Sequence, residues 1–552
     1  MEKLPLGLAL DLRKVVPYKT GSWRTMKPLY IMQTPPCTHS CPINNDIRGF
    51  LRVLADKQDY EEAWHILTRT NPFPATCGRV CPHPCEDGCN RRDYDTPLAI
   101  NSSERGVGDY GLEHSLEHRK EVLTPRKEKV AVVGSGPAGL ACAFHLAKRG
   151  FGVKVFEAAR EPGGMMRYGI PAYRLPKDIM NREIEAILRL GVELECSVKV
   201  GVNIALDQLR QDYQAVFLGL GAQMGAAVNI PGEEAKNVFT GVGFLKDINS
   251  GKIPEVGRNV VVVGGGNTAM DCARVAKRLG ADVSIVYRRT RVEMPAITAE
   301  IEEAMEERIM FRYHTNPVKI ISDEDRVVGL LCVQMELKEA DASGRARPLP
   351  IPGSESVLPA DTVIMATGQE VDYDGLDNIG KRDNKWISTD EYLMTSLARV
   401  FAGGDAVLGQ ETVSAAIGQG LRAAAAIEDY LEGNVESSLA SPPVVYFKDM
   451  NSYYYTRKKR FSKEAIPVHE RLKSFNEIYP AFAPGEIIDE AGRCLSCGLC
   501  FNCRNCLMYC PDNAVNLHPA TGKYEFDYDF CKGCGLCVKE CPCHYIQLTL
   551  EK

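Results

Sequence analysis

Two stretches of this chain repeat one plan that few folds can accommodate. "KVAVVGSGPAGLACAFHLAKRGFGVKVFEAA" (129–159) runs as an apolar strand, a glycine turn, an amphipathic helix and a second strand. "NVVVVGGGNTAMDCARVAKRLGADVSIVYRRT" (259–290) does the same about 130 residues later. In that setting the G-x-G-x-x-G/A spacing marks a dinucleotide-binding βαβ unit, so the chain must contain two parallel-sheet nucleotide domains.

The two units differ where their second strands end. In the first, Gly134, Gly136 and Gly139 permit a tight turn, close approach of a pyrophosphate and close helix-strand packing. Glu157 stands 23 residues after Gly134, where a carboxylate accepts ribose hydroxyls and repels a 2'-phosphate. In the second, Gly264, Gly266 and Ala269 hold the fingerprint, with Asn267 and Thr268 opening the helix. The position 23 residues after Gly264 is Tyr287, followed by Arg288 and Arg289. Guanidinium forks suit a phosphate dianion, so this site is expected to favour NADPH over NADH, the alternative being that both arginines are ordinary surface residues. FAD is then expected in the first unit. "RVFAGGDAV" (399–407) sets Asp405 after an apolar strand, placed for a flavin ribityl hydroxyl, and a helix begins near Thr412. "VFLGLGA" (216–222) and "DTVIMATGQ" (361–369) read as strands ending in small residues, as at crossings between two nucleotide domains.

The 21 cysteines bear on the rest. Seventeen fall in two zones, Cys37 to Cys89 and Cys494 to Cys543, and such clustering in a long chain points to metal ligation over disulfides. Cys500, Cys503, Cys506 and Cys510-Pro511 fit C-x₂-C-x₂-C-x₃-C-P, and Cys531, Cys534, Cys537 and Cys541-Pro542 fit it again. In two-cluster ferredoxins the fourth cysteine of each run serves the other cluster. The expected sets are therefore Cys500, Cys503, Cys506 and Cys541 for one 4Fe-4S cluster, and Cys531, Cys534, Cys537 and Cys510 for the other. Cys543 is left over and expected not to be a ligand. Cys142, Cys196, Cys272 and Cys332 form no close pair and read as core residues.

Composition excludes some classes. Lys plus Arg is 66 against 72 Asp plus Glu, a formal charge of -6 without a long basic run, which argues against nucleic acid as the main partner. No apolar run reaches about 18 residues. The N-terminal "LPLGLALDLRK" is too soon interrupted by charge to be a signal peptide, so a cytoplasmic protein with no membrane partner is expected. Tyr453, Tyr454 and Tyr455 read as packing residues and are assigned no function, and Arg457 to Arg460 read as a solvated face, the alternative being a surface that docks a partner.

The order of these segments resembles the two-dinucleotide-binding flavoproteins. "EPGGMMRYGIPAYRLPKDI" (161–179), "GGGNTAMDCAR", "YRRTRVEMPA" and "CGRVCPHPCEDGC" (77–89) narrow the likeness to the small subunit of NADPH-dependent glutamate synthase and its relatives, over roughly residues 30 to 430. That resemblance implies hydride transfer from NADPH to FAD, with single electrons passing on to clusters; ring stacking, and no acid-base pair, is what the transfer needs. It adds Gly164 and Arg167 to the FAD set. It also implies that Cys41, Cys81, Cys85 and Glu104 hold one N-terminal cluster, that Cys37 and Cys89 are half of a second, and that Cys77 is not a ligand.

The family's early CxxC is absent from residues 1–36, yet "RLKSFNEIYPAFAPGEIIDEAGRCLSC" (471–497) resembles the segment that carries it. Cys494 and Cys497 are therefore expected to complete the cluster begun by Cys37 and Cys89. The alternatives are that this cluster is absent or that the two are spare thiols.

The expected fold is multidomain α/β. Residues 1–125 form a helical iron-sulfur domain, 126–235 and 361–435 a discontinuous FAD domain, 236–360 an NAD(P) domain, 436–490 a linker or strap, and 491–552 an α+β bacterial-type ferredoxin domain. The expected function is an NAD(P)H oxidoreductase subunit in a hetero-oligomer, passing electrons between NADPH, FAD and 4Fe-4S clusters. Its partner would be ferredoxin or a catalytic subunit such as a 2-oxoacid or aldehyde oxidoreductase. The alternatives are a glutamate synthase small subunit and a non-catalytic electron-transfer subunit.

Overall fold

The computed structural model describes residues 19–122, 124–340, 346–409, 411–434 and 442–551. The "LPLGLALDLRK" stretch and most of "SSLASPP" (437–443) lie outside them. Among the described residues no helix is long and apolar enough to cross a membrane.

Each glycine fingerprint sits in its own five-stranded parallel sheet. The first runs in the order Val400–Ala402, Ala215–Leu218, Lys129–Val133, Gly152–Glu157, Glu193–Cys196. Three of these strands, Lys129–Val133, Ala215–Leu218 and Val400–Ala402, are nearly continuous Val, Ala, Phe and Leu because helices cover both faces. Pro137–Lys148, almost wholly buried, packs against Val413–Glu432 in the core with Val130, Val132 and Phe217. The second sheet runs Met310–Arg312, Asp282–Val286, Asn259–Val263, Thr362–Met365, Val238–Thr240. Beside it, Thr315–Asp323, Arg326–Ala340, Ala346–Pro350 and Ser356–Pro359 make an antiparallel sheet. The chain thus leaves the first nucleotide sheet, builds the second, and returns to add Val400–Ala402. Both fingerprint loops sit at the carboxyl ends of their central strands, where ligands bind in open α/β sheets.

The two ends of the chain exchange places. Helices Ile47–Lys57 and Tyr60–Leu67, started by Asp46 accepting from Gly49 N and Asp59 from Glu62 N, bury Phe50, Leu54 and Leu67 together with Val107 of Ile100–Glu113. The same core takes in Ile487 and Ala491 from helix Pro484–Ala491. Conversely, Met26–Tyr30 pairs antiparallel with Ile546–Leu550, so residues near the start extend the C-terminal domain. Residues 26–30, which the sequence groups with the N-terminal helices, pack with the ferredoxin motif instead. Five residues without clear alternation carry no sign of so distant a partner.

The segment after Pro442 wraps back over the other domains. Ile466, Phe475, Ile478 and Tyr479 join the core of the second nucleotide domain. The expectation of a solvated face at Arg457 to Arg460 holds for Arg457, Lys458 and Lys459, which are exposed, and needs correction at Arg460. Arg460 donates to the carbonyls of Pro97 and Leu98 and to Glu86 Oε2 at 2.6 Å, and Arg457 lies over the Tyr94 ring. Tyr455 packs as expected, beside Leu495, its hydroxyl donating to Leu495 O at 2.7 Å.

Candidate nucleotide and cluster sites

The first fingerprint loop is built by backbone that tolerates no side chains. Gly134 has φ +94°, and a Cβ there would lie 2.3 Å from the Gly219 carbonyl oxygen. Gly164, with φ +52°, faces Gly136 so closely that its Cβ would stand 2.7 Å from the Gly136 Cα. Two loops 28 residues apart, held by Gly163 N donating to Ser135 O at 3.0 Å, therefore form one bare backbone cradle. Glu157 is buried at its edge; its carboxylate accepts from Ser135 N at 2.8 Å and Ala159 N at 2.7 Å. Arg167 is engaged with Pro162 O and Asn181, which makes it a brace of the 161–168 loop.

Asp405 follows the Val400–Ala402 strand on the same side of the sheet. Gly404, φ +74°, makes the turn and donates its N–H to Gln419 Oε1 at 2.7 Å. Burial pushes the Asp405 carboxyl up to about 7, with a hydrogen bond from the Glu411 backbone pulling the other way. Thr412 caps the Val413–Glu432 helix by accepting from Ala415 N.

In the second fingerprint Gly264 (φ +143°) packs against the Ala366 carbonyl, while a Cβ at Gly266 would meet nothing within 4 Å. That opening leaves the helix N-terminus accessible to a pyrophosphate. Asn267 Oδ1 accepts from Ile297 N at 2.9 Å and Thr268 Oγ1 from Gln369 Nε2 at 3.4 Å, so both also bind neighbouring loops. The structure divides the arginine pair: Arg288 is exposed, whereas Arg289 is buried and donates Nε–H to the Ala346 carbonyl at 2.7 Å.

Three small cavities are each framed by four of the cysteines singled out by spacing or resemblance. Cys510, Cys531, Cys534 and Cys537 surround one, and Cys500, Cys503, Cys506 and Cys541, joined by Cys543, surround the next. The third is lined by Cys37, Cys89, Cys494 and Cys497, two thiols from each end of the chain. Among the described residues no group of three or more His, Cys, Asp or Glu is close enough to hold a single ion. Four thiols round one cavity, three of them from a C-x₂-C-x₂-C run in each of the two ferredoxin frames, are the donor set that a 4Fe-4S cluster takes. Backbone amides already point at several sulfurs: Ala514 N to Cys510 at 3.2 Å, Tyr545 N to Cys541 at 3.3 Å and Asn502 N to Cys500 at 3.4 Å.

Around Glu104 a fourth group gathers, with Cys41, Cys81 and Cys85 each close enough to feel the carboxylate's charge. Glu104 is buried in helix Ile100–Glu113, and its Oε1 accepts from Asn71 Nδ2 at 2.9 Å and Asn45 Nδ2 at 3.0 Å. Burial pushes its carboxyl up to about 7, with the two amides pulling the other way. Cys77 sits beside this group but turns its thiol toward Asn71 Oδ1 at 3.8 Å.

Short links join neighbouring groups. Cys81 Sγ donates to Ser414 Oγ at 3.4 Å, in the first turn of the helix that Thr412 caps. Cys37, in helix Pro36–His39, and Cys41, just beyond its C-cap Ser40, are four residues apart, linking the Glu104 group to the cavity shared by both chain ends. Cys497 of that cavity is three residues from Cys500 of the next.

Several residues that hold these groups were not singled out by sequence. Arg48 Nη1 donates to Gln33 O at 3.1 Å and to Cys497 O. Glu490 and Arg493, buried and paired, fasten the "EAGRC" turn through Ala99 N and Thr96. The Glu and Arg that stand just before Cys494 in that motif were the available signal.

Comparisons with known proteins agree with this layout. Residues 128–420 match the pyridine nucleotide-disulphide oxidoreductase family. Residues 30–116 match the dihydropyrimidine dehydrogenase domain II 4Fe-4S family, and 499–545 a 4Fe-4S dicluster domain. The chain is 39% identical to the NADP(+)-dependent formate dehydrogenase subunit beta of Moorella thermoacetica, over 84% of this chain and 70% of that one. It is 37% identical to the NADPH-Fe(3+) oxidoreductase subunit beta of Geobacter sulfurreducens, over 84% and 75%. Against the small chain of glutamate synthase [NADPH] of Escherichia coli it is 35% identical, over 72% and 89%. Among solved structures, FprA of Mycobacterium tuberculosis in complex with NADPH superposes with a TM-score of 0.50 at 20% identity, over 56% of this chain and 87% of that one.

Proposed function

Because the chain belongs to the pyridine nucleotide-disulphide oxidoreductase family, we propose that its four thiol groups form a single electron path leading away from its flavin. The protein is an FAD-dependent NAD(P)H oxidoreductase with 4Fe-4S clusters, and it moves electrons between NADPH, FAD and those clusters. It acts as a subunit beside a catalytic partner. FAD, when bound, exchanges a hydride with the nicotinamide and single electrons with the clusters.

The chain's own residues do the rest. Gly134, Gly136, Gly139 and Gly164 supply the bare cradle that admits the FAD pyrophosphate, Glu157 accepts from the ribose, and Asp405 meets the ribityl chain with Thr412 setting the adjoining helix. Arg167 braces the cradle. Gly264, Gly266, Asn267 and Thr268 open the second helix to NADP, and exposed Arg288 pairs its 2'-phosphate, with Arg289 buttressing the strand end. Beyond the flavin the order is Cys41, Cys81, Cys85 and Glu104; then Cys37, Cys89, Cys494 and Cys497; then Cys500, Cys503, Cys506 and Cys541; then Cys510, Cys531, Cys534 and Cys537. Electrons leave from the last group to ferredoxin or to a catalytic oxidoreductase subunit in the hetero-oligomer.

One observation carries this reading. Thiols from both ends of the chain face a single cavity, located between the Glu104 group, which adjoins the flavin-side helix, and the ferredoxin motif. Without that group the path would be broken. NADPH-dependent reduction of a viologen by the anaerobic protein tests it: turnover with NADPH is expected, and none would mean a non-catalytic scaffold. A glutamate synthase small subunit would instead be isolated with a large amidotransferase subunit.

A further inference from the structure

Five thiols line the cavity assigned to Cys500, Cys503, Cys506 and Cys541, and the fifth is Cys543. It is 2% exposed, and its Sγ lies 3.8 Å from the Sγ of Cys541. Its carbonyl accepts the N–H of Gly498 at 2.7 Å. Gly498 directly follows Cys497, which frames the cavity shared by both chain ends. A single residue therefore touches the supporting frames of two neighbouring groups, through its carbonyl on one side and its thiol on the other. The fit of Cys541 as the ligand is independent of this contact, since it precedes Pro542 in the repeated motif and already receives the Tyr545 amide at 3.3 Å.

A hydrogen bond to a ligating sulfur draws negative charge off the cluster. It thereby stabilises the reduced form, which carries one more electron, and raises the reduction potential. We infer that Cys543 is a positioning residue that remains a thiol off the iron, donates its S–H to Cys541 Sγ, and makes this cluster a better electron acceptor. The inference rests on the assignment of Cys500, Cys503, Cys506 and Cys541 as one ligand set. Amide donors at Cys500 and Cys541 and the Tyr30 hydroxyl, 3.9 Å from Cys506 Sγ, act on the same cluster and are unaffected by a change at residue 543. Removing the thiol thus isolates one donor. Through the Gly498 link, the residue also keeps the two neighbouring frames in register.

The test uses the full-length protein, purified without oxygen with its clusters, as wild type and as Cys543→Ala, Cys543→Val and Cys543→Ser. Iron content and a potentiometric titration followed by electron paramagnetic resonance are read for each. Iron is expected to equal wild type in all three variants. One cluster signal is expected at a lower midpoint potential in the Ala and Val variants, whereas Ser, which keeps a donor, holds it at or above the wild-type value. Loss of iron in the Ala and Val variants would mean that Cys543 is itself a ligand, overturning the underlying assignment. Full iron with unchanged midpoints in every variant would leave the assignment standing and overturn the inference alone.

Discussion

Arg24 grips Glu551 from the opposite end of the chain, Nε to Oε2 at 2.7 Å and Nη2 to Oε1 at 2.5 Å. The same guanidinium donates through Nη1 to the carbonyls of Tyr528 at 2.6 Å and Cys531 at 2.9 Å. It thus pins the strand pair Met26–Tyr30 and Ile546–Leu550 to the loop bearing one of the last four cysteines. Arg24→Gln keeps some hydrogen bonding but loses the fork and the charge. Chelator-driven bleaching of the holoprotein's cluster absorbance should become several-fold faster for one kinetic phase. Identical bleaching traces would show that the strand pair alone protects the site.

Cys494 and Cys497 face Cys37 and Cys89 in one cavity. In the Cys494→Ala, Cys497→Ala double variant, iron should fall by about four atoms per chain, one cluster's worth. NADPH should still bleach the flavin while viologen turnover drops steeply, because the path is interrupted beyond it. Wild-type iron in the double variant would make the two thiols spare.

Arg288 is the exposed member of its pair, Arg289 the buried one. A charged hydrogen bond to phosphate is worth about 1.5–3 kcal/mol, so Arg288→Ala should lower kcat/KM for NADPH about 10- to 100-fold. Activity with NADH should hardly change. A wild-type enzyme that uses NADH with the higher kcat/KM would refute the phosphate role outright.

His145 is buried in helix Pro137–Lys148, its Nε2 3.0 Å from the Thr70 carbonyl, tying the N-terminal helices to the flavin domain. Burial, with Arg149 and Lys148 nearby, pulls its imidazole down to about 3. The unfolded side chain titrates near 6.5, so the stability of keeping it neutral is complete above that pH. It is lost progressively as the pH falls from 6.5 toward 3. At 1.36 kcal/mol per unit this single group accounts for about 2 kcal/mol at most between pH 6.5 and 5. His145→Gln retains a donor and cannot titrate. Its unfolding midpoint should fall less steeply with acid than that of the wild type, and parallel profiles would assign the acid sensitivity elsewhere. His118, pulled down to about 3 by burial beside Lys148 and Arg189, steepens both curves equally.

What could be read before folding was whatever is written in short range. Gly134 and Gly264 announce themselves because only glycine adopts their positive φ beneath a neighbouring carbonyl, and the two C-x₂-C-x₂-C-x₃-C-P runs bring three thiols together in a few residues. The family and the two-sheet architecture follow from those marks. Arg288 and Arg289 were indistinguishable in sequence, since one faces solvent and the other the Ala346 carbonyl only once the antiparallel sheet has packed beside the strand. The "RKKR" run looked solvated for the same reason: Arg460 finds Glu86 and two carbonyls some 360 residues away.

The sequence by itself determined the chemistry, two nucleotide folds and a supply of grouped thiols, because glycine turns and cysteine spacing constrain the backbone locally. Only the tertiary structure decided that the chain's two ends are interleaved, with Ile487 and Ala491 in the first core and Met26–Tyr30 on the last strand. No local rule carries that arrangement. It arises because burying the apolar face of one helix and pairing one short strand are worth more to segments that meet across the whole chain than to either end left alone.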